Sequence, residues 1–240
     1  MVYDDPNREI DQRGSAPSSL VALLDLDRCL LDTNALVAAF YATLEPDLAL
    51  ALRGEQVNIE VTGGSFDLVE VIRQRVGDDA WQSIRRRFLA ASPGQAYLHE
   101  GAKKLMEQLR AWNVPFVIVT YGGEEWQRLK QKKAQLERIP MLVVDVKEKA
   151  VIISRWMNSD GLFDIPTIGS EASLMARRVV LVDDKADAFV GMPDRMYGIR
   201  VAFAGSGRPA AATEVPPPLV RTVNGFREVA SYIDRLRQAG

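Results

Sequence analysis

The chain has 240 residues, enough for one substantial α/β core and a small accessory domain. Its 30 basic and 32 acidic side chains leave a net charge of −2, which gives no sign of general nucleic-acid or membrane-surface binding. A single cysteine excludes an intramolecular disulfide framework and fits a reducing compartment, and the longest apolar stretches are too short to cross a bilayer.

Residues 1–19 are polar, lack the apolar core of a signal peptide and read as a flexible arm, so the cytoplasm is the default location. The apolar run that follows from Leu20 ends in Asp25 and Asp27. Side chains alternate along a strand, so an extended chain through Asp27 would aim both carboxylates the same way, beyond the strand's carboxyl end. Such a pair suits metal-assisted chemistry: one acid binds a hard cation and attacks an electrophile, while the other moves a proton. The same stretch also reads as a surface turn after a strand, where Asp is common. Arg28 and Cys29 follow. The cysteine reads as a small packed residue rather than a reactive thiol.

About 80 residues separate Thr33 from Pro115, far more than a βα connection needs. Helical periodicity runs over residues 34–48, over 65–76 with Ser65 as N-cap, and over 78–91 with Asp78 or Asp79 capping. Pro46, Gly54, Gly63-Gly64 and Pro93-Gly94 punctuate the interval. It reads as an inserted helical cap over residues 34–96, leaving 20–33 and 97–240 for the α/β core. Arg85-Arg86-Arg87 reads as the solvated side of a cap helix. His99, the only histidine, reads as a turn residue before a helix over 100–112. Trp112 and Trp156 read as core anchors.

Residues 115–120 form a second short apolar run, ending in Thr120 and followed by Tyr121-Gly122-Gly123. A hydroxyl and loop amides at a strand end can hold an oxyanion. A third run, 141–145, leads to Lys147 and Lys149; Lys149 is preferred as the functional lysine because 150–156 reads as a helix that it opens. The fourth run, 178–182, stops at Asp183-Asp184 with Asp187 one turn on. Each run is followed at once by a hydroxyl, cation or carboxylate, the arrangement expected where parallel strands line a crevice at their carboxyl ends. Residues 197–203 predict a further strand, 209–218 a Pro-rich loop, and 226–238 a closing amphipathic helix with Val229, Ile233 and Leu236 inward. Gly205-Ser206-Gly207 is too short for a dinucleotide fingerprint.

In this order and with these residue types, the set resembles the haloacid dehalogenase superfamily of phosphohydrolases over about residues 20–205. Asp25-x-Asp27 is similar to its first motif, Thr120 to its second, Lys149 to its third and Asp183-Asp184-x-x-Asp187 to its fourth; residues 98–102 resemble the approach to the second. The chain departs from the pattern at Arg28 and Cys29, where the family usually has Gly and then Thr or Val. The resemblance implies a Rossmann-like parallel sheet flanked by helices, with a small α-helical cap inserted between the first two motifs. It also implies a Mg²⁺-dependent phosphomonoester hydrolase, with Asp25 as the nucleophile that becomes an aspartyl-phosphate and Asp27 as general acid and base. Asp25, the Asp27 carbonyl and Asp184 would hold Mg²⁺, supported by Asp183 and, further out, Asp187. Thr120, Tyr121, Gly122 and Lys149 would bind the phosphoryl group of a small-molecule phosphate ester. A phosphotransferase or phosphomutase would use the same residues, and a catalytically degenerate member would act as a binding module. Dehalogenation fits less well because Asp27 is present, and a receiver domain would have its paired acids first in a much shorter chain. Monomer and homodimer remain equally open.

Overall fold

The computed structural model describes residues 16–61, 67–91, 97–166, 173–203 and 220–239. Ser65, Gly63-Gly64, Pro93-Gly94, Gly205-Ser206-Gly207, the 209–218 loop and most of the N-terminal arm lie outside these residues. Among these residues eight strands and eight α-helices follow in the order β1 (Val21–Leu24), α1 (Thr33–Tyr41), α2 (Pro46–Val61), α3 (Leu68–Val76), α4 (Asp78–Ala90), α5 (Ala102–Ala111), β2 (Phe116–Tyr121), α6 (Glu124–Lys133), β3 (Met141–Val144), α7 (Lys149–Ser154), β4 (Phe163–Ile165), β5 (Leu174–Ala176), β6 (Val179–Asp183), β7 (Met196–Val201), β8 (Val220–Val223) and α8 (Phe226–Gln238). No described helix is long and apolar enough to cross a membrane.

Six strands form one parallel sheet in the order β3-β2-β1-β6-β7-β8, the α/β architecture expected from the sequence. A parallel sheet is covered on both faces, so its central strands are continuous apolar runs; β1 and β6 are buried at every position. The two-residue period divides them between two cores. Ala22, Leu24, Ile118, Val180 and Val182 face one cluster, and Val21, Leu23, Val117, Val179 and Leu181 the other. In register, Leu24 lies beside Ile118 on one side and Val182 on the other. The strands therefore deliver Asp25, Thr120 and Asp183 to one end of the sheet. The small antiparallel pair β4-β5 packs on the second face with α7.

Among the described residues four helices lie between β1 and α5, in the interval expected to be an insertion, with bounds that differ from those the periodicity predicts. Instead of one helix over 34–48, the chain ends α1 at Tyr41 and starts α2 at Pro46, where proline's fixed φ and missing N–H favour the first helical position. α2 had no clear periodic signature, because Leu50 and Val57 are exposed while Leu52 is buried. The Asp67 side chain, not Ser65, caps α3 by accepting from the Glu70 amide at 3.3 Å. Asp78 and Asp79 lie in the first turn of α4 rather than at its cap, which is Gly77 at φ +80°. Asp78 instead accepts from Arg73 Nε at 2.6 Å.

The insertion shares its core with the sheet. Phe40 of α1 meets Phe88 of α4 at 5.1 Å between ring centroids and Trp126 of α6 at 4.9 Å, while fully buried Trp81 donates Nε1–H to Glu125 at 2.8 Å. Trp81 therefore takes the anchoring place expected for Trp112 and Trp156, which are only half-buried against the two clusters. His99 stacks on Phe203 at 4.2 Å in the turn before α5, and Arg86 and Arg87 face solvent from α4. Val229 and Ile233 of α8 are buried as expected, with Leu236 partly so.

Because one apolar cluster runs from the insertion into the sheet, Phe40→Ala should destabilise the whole protein, by about 3–5 kcal/mol for a fully buried phenylalanine. Denaturant unfolding followed by tryptophan fluorescence and far-UV circular dichroism should give coincident single transitions. An early separate transition of the helices would contradict a shared core.

Candidate active site

At the carboxyl end of the sheet, Asp25, Asp27, Thr120, Tyr121, Lys147, Lys149, Asp183 and Lys185 line a cleft of about 330 Å³. The chain leaves the sheet at Leu24, so the extended run through Asp27 expected from the sequence is not formed. A tight turn replaces it: the amides of Leu30 and Leu31 donate to the carbonyls of Asp25 and Leu26 at 3.3 and 2.9 Å, and Arg28 adopts the left-handed region at φ +60°. That conformation is easiest for glycine, and here Arg28 holds it. The Thr33 hydroxyl fastens the turn, accepting from the Arg28 amide and donating to Asp27 Oδ1, both at 2.9 Å. Both acids reach the cleft, by this turn rather than by strand alternation. Cys29 is buried against the Val182 carbonyl, and burial pushes its thiol pKa up, so it stays a packed, protonated residue.

The two acids have different surroundings. Lys149 Nζ, at the start of α7, donates to Asp25 Oδ1 and, at 2.6 Å, to Asp183 Oδ2; all three side chains are almost wholly buried. Burial lifts the Asp25 carboxyl well above the usual carboxylate range, opposed by Lys149 and reinforced by Asp183, Asp184 and Asp27. Burial alone would lower Lys149, but the two carboxylates hold its ammonium above the ordinary lysine value. For Asp27 burial also acts upward, yet Lys130, with Gln127 and Thr33, outweighs it and holds this carboxyl below its ordinary value. Lys130 pairs with both Asp27 oxygens, and Gln127 Nε2 donates to Oδ2 at 2.9 Å.

Carboxylate oxygens of Asp25, Asp183 and Asp184 all lie within 4.8 Å of one another, a donor set composed only of hard oxygens. Beside them the Thr120 hydroxyl is fully buried and has no hydrogen-bond partner among the described residues. Tyr121 lines the cleft and its carbonyl accepts from Gln127 Nε2 at 2.7 Å. Gly122 makes the turn at φ +139°, where a β-carbon would stand 2.7 Å from Gln127 Nε2. Lys149, preferred from the sequence, is the lysine inside the charge cluster, whereas Lys147 stands on the cleft wall. Asp187 opens a short 3₁₀ turn (Asp187–Phe189) and is not part of the three-carboxylate group.

Sequence reasoning missed Lys130, Gln127, Thr33 and Lys185. Gln127 and Lys130 sit three apart on the buried side of α6, directly after the Thr120 strand. The only signal was that spacing, hidden in the helix Glu124–Lys133, whose composition reads as solvated. The same helix meets the insertion: Glu125 accepts from Arg73 at 2.7 Å and from Trp81, and the Asp67 carboxylate lies against Gly123.

No protein-family profile and no curated protein sequence matches the chain. Solved structures do share its fold. A haloacid dehalogenase-like hydrolase from Burkholderia xenovorans superposes with a TM-score of 0.59 at 21% identity, over 92% of this chain and 99% of its own. A magnesium-bound haloacid dehalogenase-type hydrolase from Bacillus subtilis gives 0.52 at 15% identity, over 91% and 100%. A dehalogenase in an intermediate complex gives 0.52 at 16% identity, over 91% and 98%. These likenesses establish the haloacid dehalogenase-like fold for this chain.

Lys149 is the counter-charge for two buried carboxylates. Lys149→Met keeps the side-chain length and leaves Asp25 and Asp183 uncompensated, so urea unfolding in the presence of a chelator should show a loss of about 3–5 kcal/mol. A loss below about 0.5 kcal/mol, the range of neutral surface substitutions, would contradict that assignment.

Proposed function

We propose that this haloacid dehalogenase-like fold works as a Mg²⁺-dependent phosphomonoester hydrolase that passes the phosphoryl group through Asp25. The observation that carries the reading is the three-carboxylate group of Asp25, Asp183 and Asp184 beside an unpartnered, buried Thr120 hydroxyl. An all-oxygen donor set fits a hard divalent cation; Asp25, Asp183, Asp184 and the Asp27 carbonyl would hold it. When bound, the cation supplies positive charge between an anionic nucleophile and an anionic ester.

The chain's own groups account for the rest. Asp25 forms a bond to phosphorus as the bond to the leaving oxygen breaks, giving an acyl phosphate and splitting a hard displacement into two easier ones. Lys130 holds Asp27 ionised before the substrate binds, so Asp27 takes a proton from solvent as the anionic ester enters and passes it to the leaving oxygen. Held in place by Lys130, Gln127 and Thr33, it then takes a proton from the water that attacks the acyl phosphate, which releases inorganic phosphate and restores Asp25. The Thr120 hydroxyl, the amides that follow it and Lys149 counter the charge that spreads over the equatorial oxygens. Asp187 would support the metal-binding loop from outside. Residues 34–96 would act as a cap that excludes water from the crevice and selects the leaving group. The buried, unpaired Cys29 fits a reducing compartment, and the cytoplasm is the corresponding location.

Dehalogenation would need a carboxylate nucleophile but neither further carboxylates for a cation nor a second acid, so the grouping of Asp183 and Asp184 with Asp25, and Asp27 in the cleft, support the phosphohydrolase reading. Transfer to a hydroxyl instead of water would use the same groups, so products decide between hydrolase and phosphotransferase.

Purified protein should release phosphate from p-nitrophenyl phosphate with Mg²⁺ and stop when EDTA is added. Asp25→Asn should reduce release by about three orders of magnitude or more while the far-UV circular dichroism spectrum is unchanged. Near wild-type turnover in the folded variant, or activity indifferent to EDTA, would overturn the reading.

A further inference from the structure

Six Asp and Lys side chains line the cleft, and four of them have charge partners. Lys149 is shared by Asp25 and Asp183, and Asp27 is paired with Lys130. Lys147 and Lys185 are different: among the described residues, neither ammonium makes an ion pair or a hydrogen bond. Both are only half-buried. Lys147 stands in the turn between β3 and α7, with Nζ 5.9 Å from the centre of the Tyr121 ring. Lys185 follows β6, where its amide donates to Asp183 Oδ1 at 2.9 Å and so fixes the backbone at the rim of the cleft. Its charge is felt inside, since it helps depress the Lys130 ammonium.

Two ammonium groups from different strand ends thus line one cleft with no ion pair among the described residues. The phosphoryl group is already provided for by Lys149, Thr120 and the cation of the proposed function, and an ammonium group on a cleft wall with no ion partner of its own attracts an anion. We propose that Lys147 and Lys185 hold a second anionic group of the substrate, a carboxylate or another phosphate. The preferred substrates are then small phosphate monoesters that carry two anionic groups. This inference rests on the phosphohydrolase reading for its chemistry, but the anion site can be tested without turnover.

Asp25→Asn protein, which cannot form the acyl phosphate, would be titrated calorimetrically in Mg²⁺ with matched pairs: 3-phosphoglycerate against glycerol 3-phosphate, and fructose 1,6-bisphosphate against fructose 6-phosphate. The doubly anionic member of at least one pair should bind about tenfold more tightly, equivalent to about 1.4 kcal/mol. Adding Lys147→Gln or Lys185→Gln should remove most of that preference, bringing the two Kd values to within about twofold of each other. A preference confined to one pair identifies the second group as carboxylate or as phosphate. Equal Kd values in Asp25→Asn protein, or a preference that survives both lysine substitutions, would overturn the inference. Phosphate release from these esters by the unsubstituted protein is measured in parallel. Turnover without the preference would overturn this inference alone, whereas the preference without turnover of any ester would overturn the hydrolase reading and leave the anion site standing.

Discussion

The ammonium group of Lys149 holds two buried carboxylates that adjacent strands bring to the same point. Asp25 follows β1 and Asp183 ends β6, and the parallel register between these strands leaves the two acids facing each other in the interior. Two ionised carboxylates out of water repel each other and have lost hydration, an arrangement that persists only with compensating charge. Lys149 supplies it from the start of α7, after β3, two strands away from β1 in the sheet order. Much of the site follows from this constraint. The sheet must place β1 between β2 and β6, the β3–α7 turn must project a lysine inward, and Asp184 falls beside the pair because it follows Asp183 directly.

A second dependence runs along α6. Its first turn carries Glu125 and Trp126, which meet Arg73, Trp81, Phe40 and Phe88 of the insertion, and its next turn carries Gln127 and Lys130, which hold Asp27. The helix begins at the turn that follows Thr120. One rigid element thus connects the packing of the insertion, the orientation of the second acid and the strand that ends in the buried hydroxyl. A shift of the insertion against the sheet would be transmitted to Asp27 through α6, because packed interiors transmit displacement rather than absorb it.

The sheet was legible because parallel strands buried on both faces leave short, continuous apolar runs, and β1, β2, β3 and β6 each end where a polar residue begins. The positions of Asp25, Thr120 and Asp183 were legible because they fall where apolar strands end, whereas Lys149, five residues past β3, was read from the helix it opens. The less legible parts depend on contacts between distant segments. The turn after Leu24 is set by Thr33 and by a left-handed Arg28, neither of which an apolar pattern reports. α2 carries exposed Leu50 and Val57, so its apolar residues trace no single face. Lys130 looks like one of several solvated lysines in α6 until Asp27, 103 residues earlier in the chain, is brought against it. Asp67 prevails over Ser65 as a cap because the helix begins at Leu68, a boundary that periodicity locates only to within a turn.

The account's central claim is that phosphoryl transfer passes through Asp25 and that Asp27 serves the second displacement. The most direct measurement is peptide mass spectrometry of Asp27→Asn protein, quenched in acid after mixing with Mg²⁺ and p-nitrophenyl phosphate, whose leaving group departs readily without a proton donor. The account predicts one phosphoryl group per chain, carried by Asp25, that accumulates because no base activates water. A folded variant that turns over without accumulating label, or that carries it on another residue, would contradict the account.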